Sequence, residues 1–161
     1  MSTELDRDEI YSFLRDEIID YYRHVYVLKK KNVKIHKRGR GILLHDYVKG
    51  LLFFYAKSKG LLPLPEYAPF EDNRHRIDML WTNKEGAPLA AFEIENTIYP
   101  KSISKLSALD EGCRKFIISI GLGAYPLPAD ILASTSIENL DFTQTTLGIA
   151  KYFYNDDLAD S

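Results

Sequence analysis

The chain has 161 residues and a formal net charge of −2, a length that favours one domain built around a single core. Hydrophobic residues make up 45% and charged residues 27%, which excludes an intrinsically disordered chain. The one cysteine, Cys113, excludes an internal disulfide and a cysteine-based zinc site, and no apolar run approaches the roughly 20 residues that span a bilayer. The first residues are polar and acidic rather than a secretion signal, so we expect the protein to stay in the cytoplasm.

Two amphipathic helices are predicted in the first third of the chain. In 6–28, apolar residues recur at spacings of three and four, and Thr3 or Asp6 can cap the first turn. The same spacing predicts a second helix over 42–59, and Gly60 stands where a helix-terminating glycine belongs.

Basic residues are concentrated between these two helices, where Gly39 and Gly41 predict a turn around Arg40. A basic run on a nearly neutral protein is typical of a phosphate-contacting patch, and it is equally typical of a solvated loop. Under the first interpretation, the residues that would hold a nucleic-acid backbone are Lys30, Lys31, Lys34, Lys37, Arg38 and Arg40.

The pattern then changes to strands. The proline-rich segment 64–70 predicts a short strand at a sheet edge, because proline cannot donate to a hydrogen-bond ladder. Strands over 74–82 and 88–95 flank the turn residues 83–86, which predicts a β-hairpin.

A crossover follows the hairpin. Pro100 predicts the first turn of a helix that continues to about residue 111, and the apolar run 115–120 predicts a buried strand. A strand–helix–strand crossover places its second strand parallel to the first, so the predicted class is α/β with a mixed central sheet flanked by helices. A short helix is predicted over 129–139, 145–154 is ambiguous between strand and helix, and 155–161 is expected to fray.

Three carboxylates interrupt the apolar hairpin. Asp78 lies on its first strand, while Glu93 and Glu95 occupy alternate positions on the second and therefore share one face. Ionised carboxylates are costly to bury unless they are paired or bind a metal, and a Mg²⁺ or Mn²⁺ ion would relieve their repulsion. The structural alternative pairs Asp78 with Arg74 or Arg76 and leaves both glutamates on a solvated sheet face.

These residues resemble a known family. The segments Arg76–Trp81 and Phe92–Thr97, in this order and followed by a helix, resemble the PD-(D/E)xK nuclease superfamily, chiefly its restriction-endonuclease-like members with a Phe-Glu-x-Glu strand. The resemblance covers roughly Gly41–Gly121 and implies an αβββαβ core. An extra N-terminal helix with the basic segment (1–40) would precede that core, and 122–161 would extend the same domain.

The resemblance implies a metal-dependent endonuclease that hydrolyses DNA phosphodiester bonds by metal-assisted attack of water, with Mg²⁺ or Mn²⁺ as cofactor. Asp78, Glu93 and the backbone carbonyl of Ile94 would hold the metal. Glu95 stands where these nucleases usually carry lysine, and it would orient or deprotonate the attacking water. With Lys105, which would contact the scissile phosphate, the implied catalytic set is Asp78, Glu93, Glu95 and Lys105.

The missing lysine keeps a second hypothesis open, a catalytically inactive nuclease-fold module that binds nucleic acid or a protein partner. Lys101 and Lys105, four residues apart on the predicted helix, are candidates to replace its positive charge. The expected partner is DNA, with RNA as an alternative and no membrane, and fold-level analogy suggests a homodimer joined through the first helix. His45 is expected more often at a helix surface than facing the acids.

Overall fold

In the computed structural model, the described residues are 4–31, 39–69, 75–95, 100–120, 128–146 and 148. The elements in chain order are α1 (Arg7–Lys30), α2 (Gly39–Ser58), β1 (Leu62–Tyr67), β2 (Ile77–Thr82), β3 (Pro88–Glu95), α3 (Pro100–Ser107), β4 (Arg114–Ser119), α4 (Ala129–Thr135) and β5 (Ile137–Asp141).

The strands form one mixed sheet in the order β1-β2-β3-β4-β5. The β1–β2 and β2–β3 pairs are antiparallel, whereas β3–β4 and β4–β5 are parallel. The α/β fold with helices flanking a mixed sheet is therefore confirmed. The order from α2 to β4 is the expected αβββαβ, and α1 precedes it.

Helix α1 begins at a cap that the sequence indicated. Asp6 Oδ1 accepts hydrogen bonds from the backbone amides of Asp8 and Glu9, at 2.9 and 3.3 Å, so it satisfies two amides of the first turn. The buried side chains of α1 recur every fourth residue: Ile10, Leu14 and Ile18. This stripe packs into the main core of the same chain.

Helix α2 begins earlier than predicted. It starts at Gly39, so Arg40 lies in a helix and not in the expected turn. Glycine costs backbone entropy in a helix interior but is tolerated at a helix start. The end of α2 was predicted correctly: Gly60 has φ +74°, and the next amide, of Leu61, donates to the carbonyl of Ala56 at 2.9 Å.

The sheet separates two apolar layers. On one face, α1 and α2 cover a row of aromatic rings in which Trp81 and Phe92 have centroids 4.4 Å apart and Phe92 and Phe116 stack at 5.0 Å. The indole nitrogen of Trp81 donates to the carbonyl of Leu52, which fixes α2 against β2. On the other face, α3 and α4 cover a smaller cluster that includes buried Leu106 and the free thiol residue Cys113.

Several predicted bounds were wrong. Strand β1 is an edge strand as expected but lies over Leu62–Tyr67, β2 starts only at Ile77, and α3 ends at Ser107. The predicted helix 129–139 ends at Thr135, and a fifth strand follows from Ile137.

A left-handed residue separates this last helix from the fifth strand. Ser136, with φ 56°, stops α4. Asn139 on β5 is buried and donates to the carbonyl of Ile117 and to Ser119 Oγ, both at 3.0 Å, which ties β5 to β4.

The last predicted segments are largely outside the described residues: all of 155–161, and 145–154 apart from residues 145, 146 and 148. None of the described helices is long and apolar enough to cross a membrane.

Candidate functional site

The hairpin brings Asp78 and Glu93 face to face. The β2–β3 register pairs Met79 with Phe92, so the residues one step further along, Asp78 and Glu93, lie opposite each other. The amide of Asp78 donates to Glu93 Oε1 at 3.3 Å, and the amide of Ile94 donates to Asp78 Oδ2 at 2.8 Å. Two carboxylates from neighbouring strands are thus held together by the backbone of the hairpin.

The acids lie in a desolvated environment. The Glu93 side chain is 2% exposed and that of Asp78 is 16% exposed. Burial, with the charge of Asp78, raises the pKa of Glu93 to about 7, although Lys105 opposes the rise. Burial also raises the pKa of Glu95, against a hydrogen bond that Ser102 Oγ donates to Glu95 Oε1. Both glutamates are therefore harder to ionise than in water.

Helix α3 brings one lysine to these acids. Lys105 Nζ lies 2.9 Å from Glu93 Oε2 and 2.8 Å from the carbonyl oxygen of Arg76, the residue before β2. Lys101 lies one turn earlier and is exposed, and within the described ranges no ion pair or hydrogen bond of its side chain is found. Of the two predicted lysines, the structure therefore places only Lys105 beside the carboxylates.

A histidine that the sequence analysis assigned to the surface faces the site. His45 Nε2 lies 3.3 Å from Asp78 Oδ2, and its side chain is 24% exposed. The hydrogen bond with Asp78 raises the pKa of the imidazole, against the effect of burial. The helical spacing could have indicated this position of His45. His45 and Lys49 border the buried stripe of Leu44 and Val48, so this edge of α2 can reach the sheet.

The neighbouring edge strand adds an ion pair. Lys49 Nζ lies 2.6 Å from Glu66 Oε1, and the β1–β2 register places Glu66 across from Asp78. Glu66 has φ 53°, a left-handed conformation that is uncommon for a residue with a side chain. Glu66 is exposed, and its carboxylate is directed to α2 rather than to the acids.

The donor set fits a magnesium-type ion. Mg²⁺ prefers oxygen ligands and is commonly held by one or two carboxylates together with water and phosphate. Asp78 and Glu93 supply two such carboxylates, and their mutual repulsion in a desolvated place is what a cation would relieve. Among the described residues, no group of three or more histidine, cysteine, aspartate or glutamate side chains is arranged to hold a metal. Within the described part of the chain, a site for such an ion would therefore rest on these two carboxylates.

The predicted basic surface is only partly described. Lys31 follows α1 and is exposed, while Lys30 ends α1 and Arg40 lies in α2, both with side chains outside the described part. Lys34, Lys37 and Arg38 lie outside the described residues altogether. Contact of this segment with nucleic acid therefore stays a prediction.

Comparisons with known proteins add little to this geometry. No protein-family model and no curated protein matches the chain. The crystal structure of a repair endonuclease from Pyrococcus abyssi aligns with a TM-score of 0.38 and 14% identity, over 56% of this chain and 42% of that chain. A similarity at this level carries no argument about function, and the chain spans less than half of that endonuclease.

Proposed function

We propose that this protein is a divalent-metal-dependent nuclease that hydrolyses DNA phosphodiester bonds. The observation that carries the proposal is the pair of facing carboxylates, Asp78 and Glu93, on adjacent strands of one hairpin. Glu95 on the same strand face and Lys105 from α3 stand beside that pair. Buried acids with perturbed pKa values, grouped with a cation at one end of a sheet, are typical of a catalytic site.

Asp78 and Glu93 would hold Mg²⁺ or Mn²⁺, with the carbonyl oxygen of Ile94 as a further ligand. When bound, such an ion lowers the pKa of water and neutralises charge on the phosphate. The amide of Ile94 orients Asp78, and the amide of Asp78 orients Glu93, so the two ligands would be preorganised by the backbone.

Glu95 would orient the attacking water and accept its proton. Its pKa is raised by burial, which moves the carboxylate toward the neutral range in which a general base works best. Ser102, itself buried, occupies one carboxylate oxygen and leaves the other for the water. Lys105 would contribute its positive charge to the scissile phosphate, the role that the family resemblance implies for it.

Cleavage of plasmid, branched and single-stranded DNA in Mg²⁺ or Mn²⁺ tests the proposal. Asp78→Ala should lower the cleavage rate by about a hundredfold or more, because it removes a charge that acts directly at the reaction centre. Asp130→Ala, the same change at an exposed position of α4, serves as the matched control. Cleavage by Asp78→Ala at the rate of the control would remove the hairpin acids from the mechanism.

One observation favours a second candidate, an inactive nuclease-fold module that binds nucleic acid or a protein partner. Each of the facing acids already has a basic side chain beside it: Lys105 for Glu93, and for Asp78 the imidazole of His45, whose pKa the hydrogen bond with Asp78 raises. A site neutralised in this way can persist as structure without any metal. Tight DNA binding, combined with no heat of Mn²⁺ binding in calorimetry, would favour the module over the enzyme.

A further inference from the structure

We infer that Lys105 is a resident counter-ion of Glu93, one that leaves the carboxylate when a divalent cation binds. The inference rests on the metal site of the proposed function and deepens it. It describes how a buried carboxylate remains compatible with the fold before any metal is present. It also explains how one lysine can neutralise Glu93 in the metal-free protein and still be available to a phosphate afterwards.

Burial makes a counter-ion necessary at Glu93. Its side chain is 2% exposed, and Asp78 faces it across the hairpin. An ionised carboxylate in such a place is strongly unfavourable unless an opposite charge compensates it. Lys105 Nζ supplies that charge at 2.9 Å from Glu93 Oε2.

An ammonium group and a divalent ion compete for this carboxylate. Two cations within a few ångström of each other repel strongly where water is largely excluded. The proposed metal needs Glu93, whose Oε2 is bonded to Lys105 and whose Oε1 accepts the Asp78 amide, so an ion on either oxygen would lie close to the ammonium group. Binding of the ion is therefore coupled to departure of the ammonium group.

The surroundings of Lys105 allow its ammonium group to move away from Glu93. Its second acceptor is the carbonyl oxygen of Arg76, an exposed residue just before β2, and the lysine side chain itself is 15% exposed, so it borders solvent. The lysine side chain is long and flexible, and α3 need not move for its end to turn away. Departure costs only side-chain contacts.

Thermodynamic linkage turns this exchange into a measurable effect. A contact that stabilises the metal-free site and is lost on binding weakens metal affinity, and its removal strengthens affinity by the same factor. Lys105→Met removes the charge and keeps most of the apolar length. Lys101→Met is the matched control, since it makes the same change one turn earlier on α3, at an exposed position.

The experiment is calorimetric titration of metal-stripped wild type and both variants with Mn²⁺, without DNA, in about 0.15 M salt to screen distant charges. Lys105→Met should bind Mn²⁺ about 5- to 150-fold more tightly than wild type, the usual range for two coupled ligands. Lys101→Met should bind as wild type does. Binding by Lys105→Met alone, with none in wild type, would also support the exchange.

Other outcomes separate this inference from the proposed function. If wild type binds Mn²⁺ and Lys105→Met binds equally or less tightly, the exchange is wrong and the metal site stands. An equal gain in Mn²⁺ affinity in Lys101→Met would show that the effect comes only from the lower net positive charge of α3, and this would overturn the inference. No binding in any variant would overturn both. Should Lys105→Met fail to fold, Lys105→Gln, which can still donate to the Arg76 carbonyl, is judged by the same criteria.

Discussion

Ionisation of Glu93 should destabilise the metal-free protein as the pH rises. In the unfolded chain, its carboxyl group has the ordinary pKa of 4.5, whereas burial and the charge of Asp78 raise the folded-state pKa to about 7. Below 4.5 the group is protonated in both states and has no effect on the free energy of unfolding. Between 4.5 and 7 only the folded state retains the proton, so stability is lost with rising pH and the loss is complete above 7.

The magnitude follows from the same two values. Each pKa unit corresponds to about 1.4 kcal/mol, so the rise from 4.5 to about 7 makes the protein about 3 kcal/mol less stable above neutral pH than below pH 4.5. The pKa values of Glu95 and His45 are also raised in the folded state, and both shifts act in the same direction. The Glu93→Gln variant removes the contribution of Glu93 to this pH dependence and leaves the contributions of Glu95 and His45.

Urea unfolding with a chelator present, at about pH 5 and pH 8, measures this effect. Wild type should lose more stability between the two pH values than Glu93→Gln does, by about 2 to 3 kcal/mol, since some of the loss already occurs below pH 5. Glu85→Gln, the same change in the exposed hairpin turn, is the control. The pKa of about 7 already includes the opposing effect of Lys105, so the loss of that ion pair in Glu93→Gln needs no separate allowance. An identical pH dependence in wild type and Glu93→Gln would refute the reasoning.

Three further changes test the scaffold by denaturant unfolding. Asp6→Ala removes the cap that binds two amides of α1 and should cost about 1 kcal/mol; an unchanged midpoint would show that the cap contributes nothing. Leu14→Ala, at a fully buried position of α1, should cost about 2 to 5 kcal/mol, and a loss below 1 kcal/mol would contradict the packing of α1 on the core. Gly60→Ala should cost about 1 to 2 kcal/mol because a φ of +74° is strained for alanine. An unchanged free energy of unfolding would contradict the left-handed conformation at the end of α2.

The features that local chemistry decides could be predicted from the sequence. The hairpin strand Pro88–Glu95 has the predicted bounds, because the turn before it has a glycine at φ +87° and the alternation of apolar and acidic residues fixes its faces. The crossover helix α3 and the parallel strand β4 follow from Pro100 and a continuous apolar run. The sequence also placed the three acids on one hairpin, whereas the exact pairing of Asp78 with Glu93 depends on a register shift between Trp81 and Thr82 that it did not indicate.

Tertiary contacts decided what the sequence could not indicate. Ile137–Asp141 contains polar residues that suit a helix end, and its strand depends on the buried bonds that Asn139 makes to β4. His45 precedes Asp78 by 33 positions, and only the packing of α2 across the sheet brings the two together. The start of α2 at Gly39 was also missed, because two glycines in a basic run predict a turn.

The mixed direction of the strands gives the molecule two unequal ends. Strand β3 has an antiparallel neighbour on one side and a parallel one on the other, so the chain enters β2 and leaves β3 and β4 at the end where the acids lie. The tight turn Asn83–Gly86 closes the opposite end of the hairpin. Strand β3 begins just after this turn at Pro88, and the five residues from Pro88 to Glu93 extend over about 17 Å. A fluorophore, affinity tag or surface tether placed in that turn would therefore report on or hold the protein without obstructing the carboxylates.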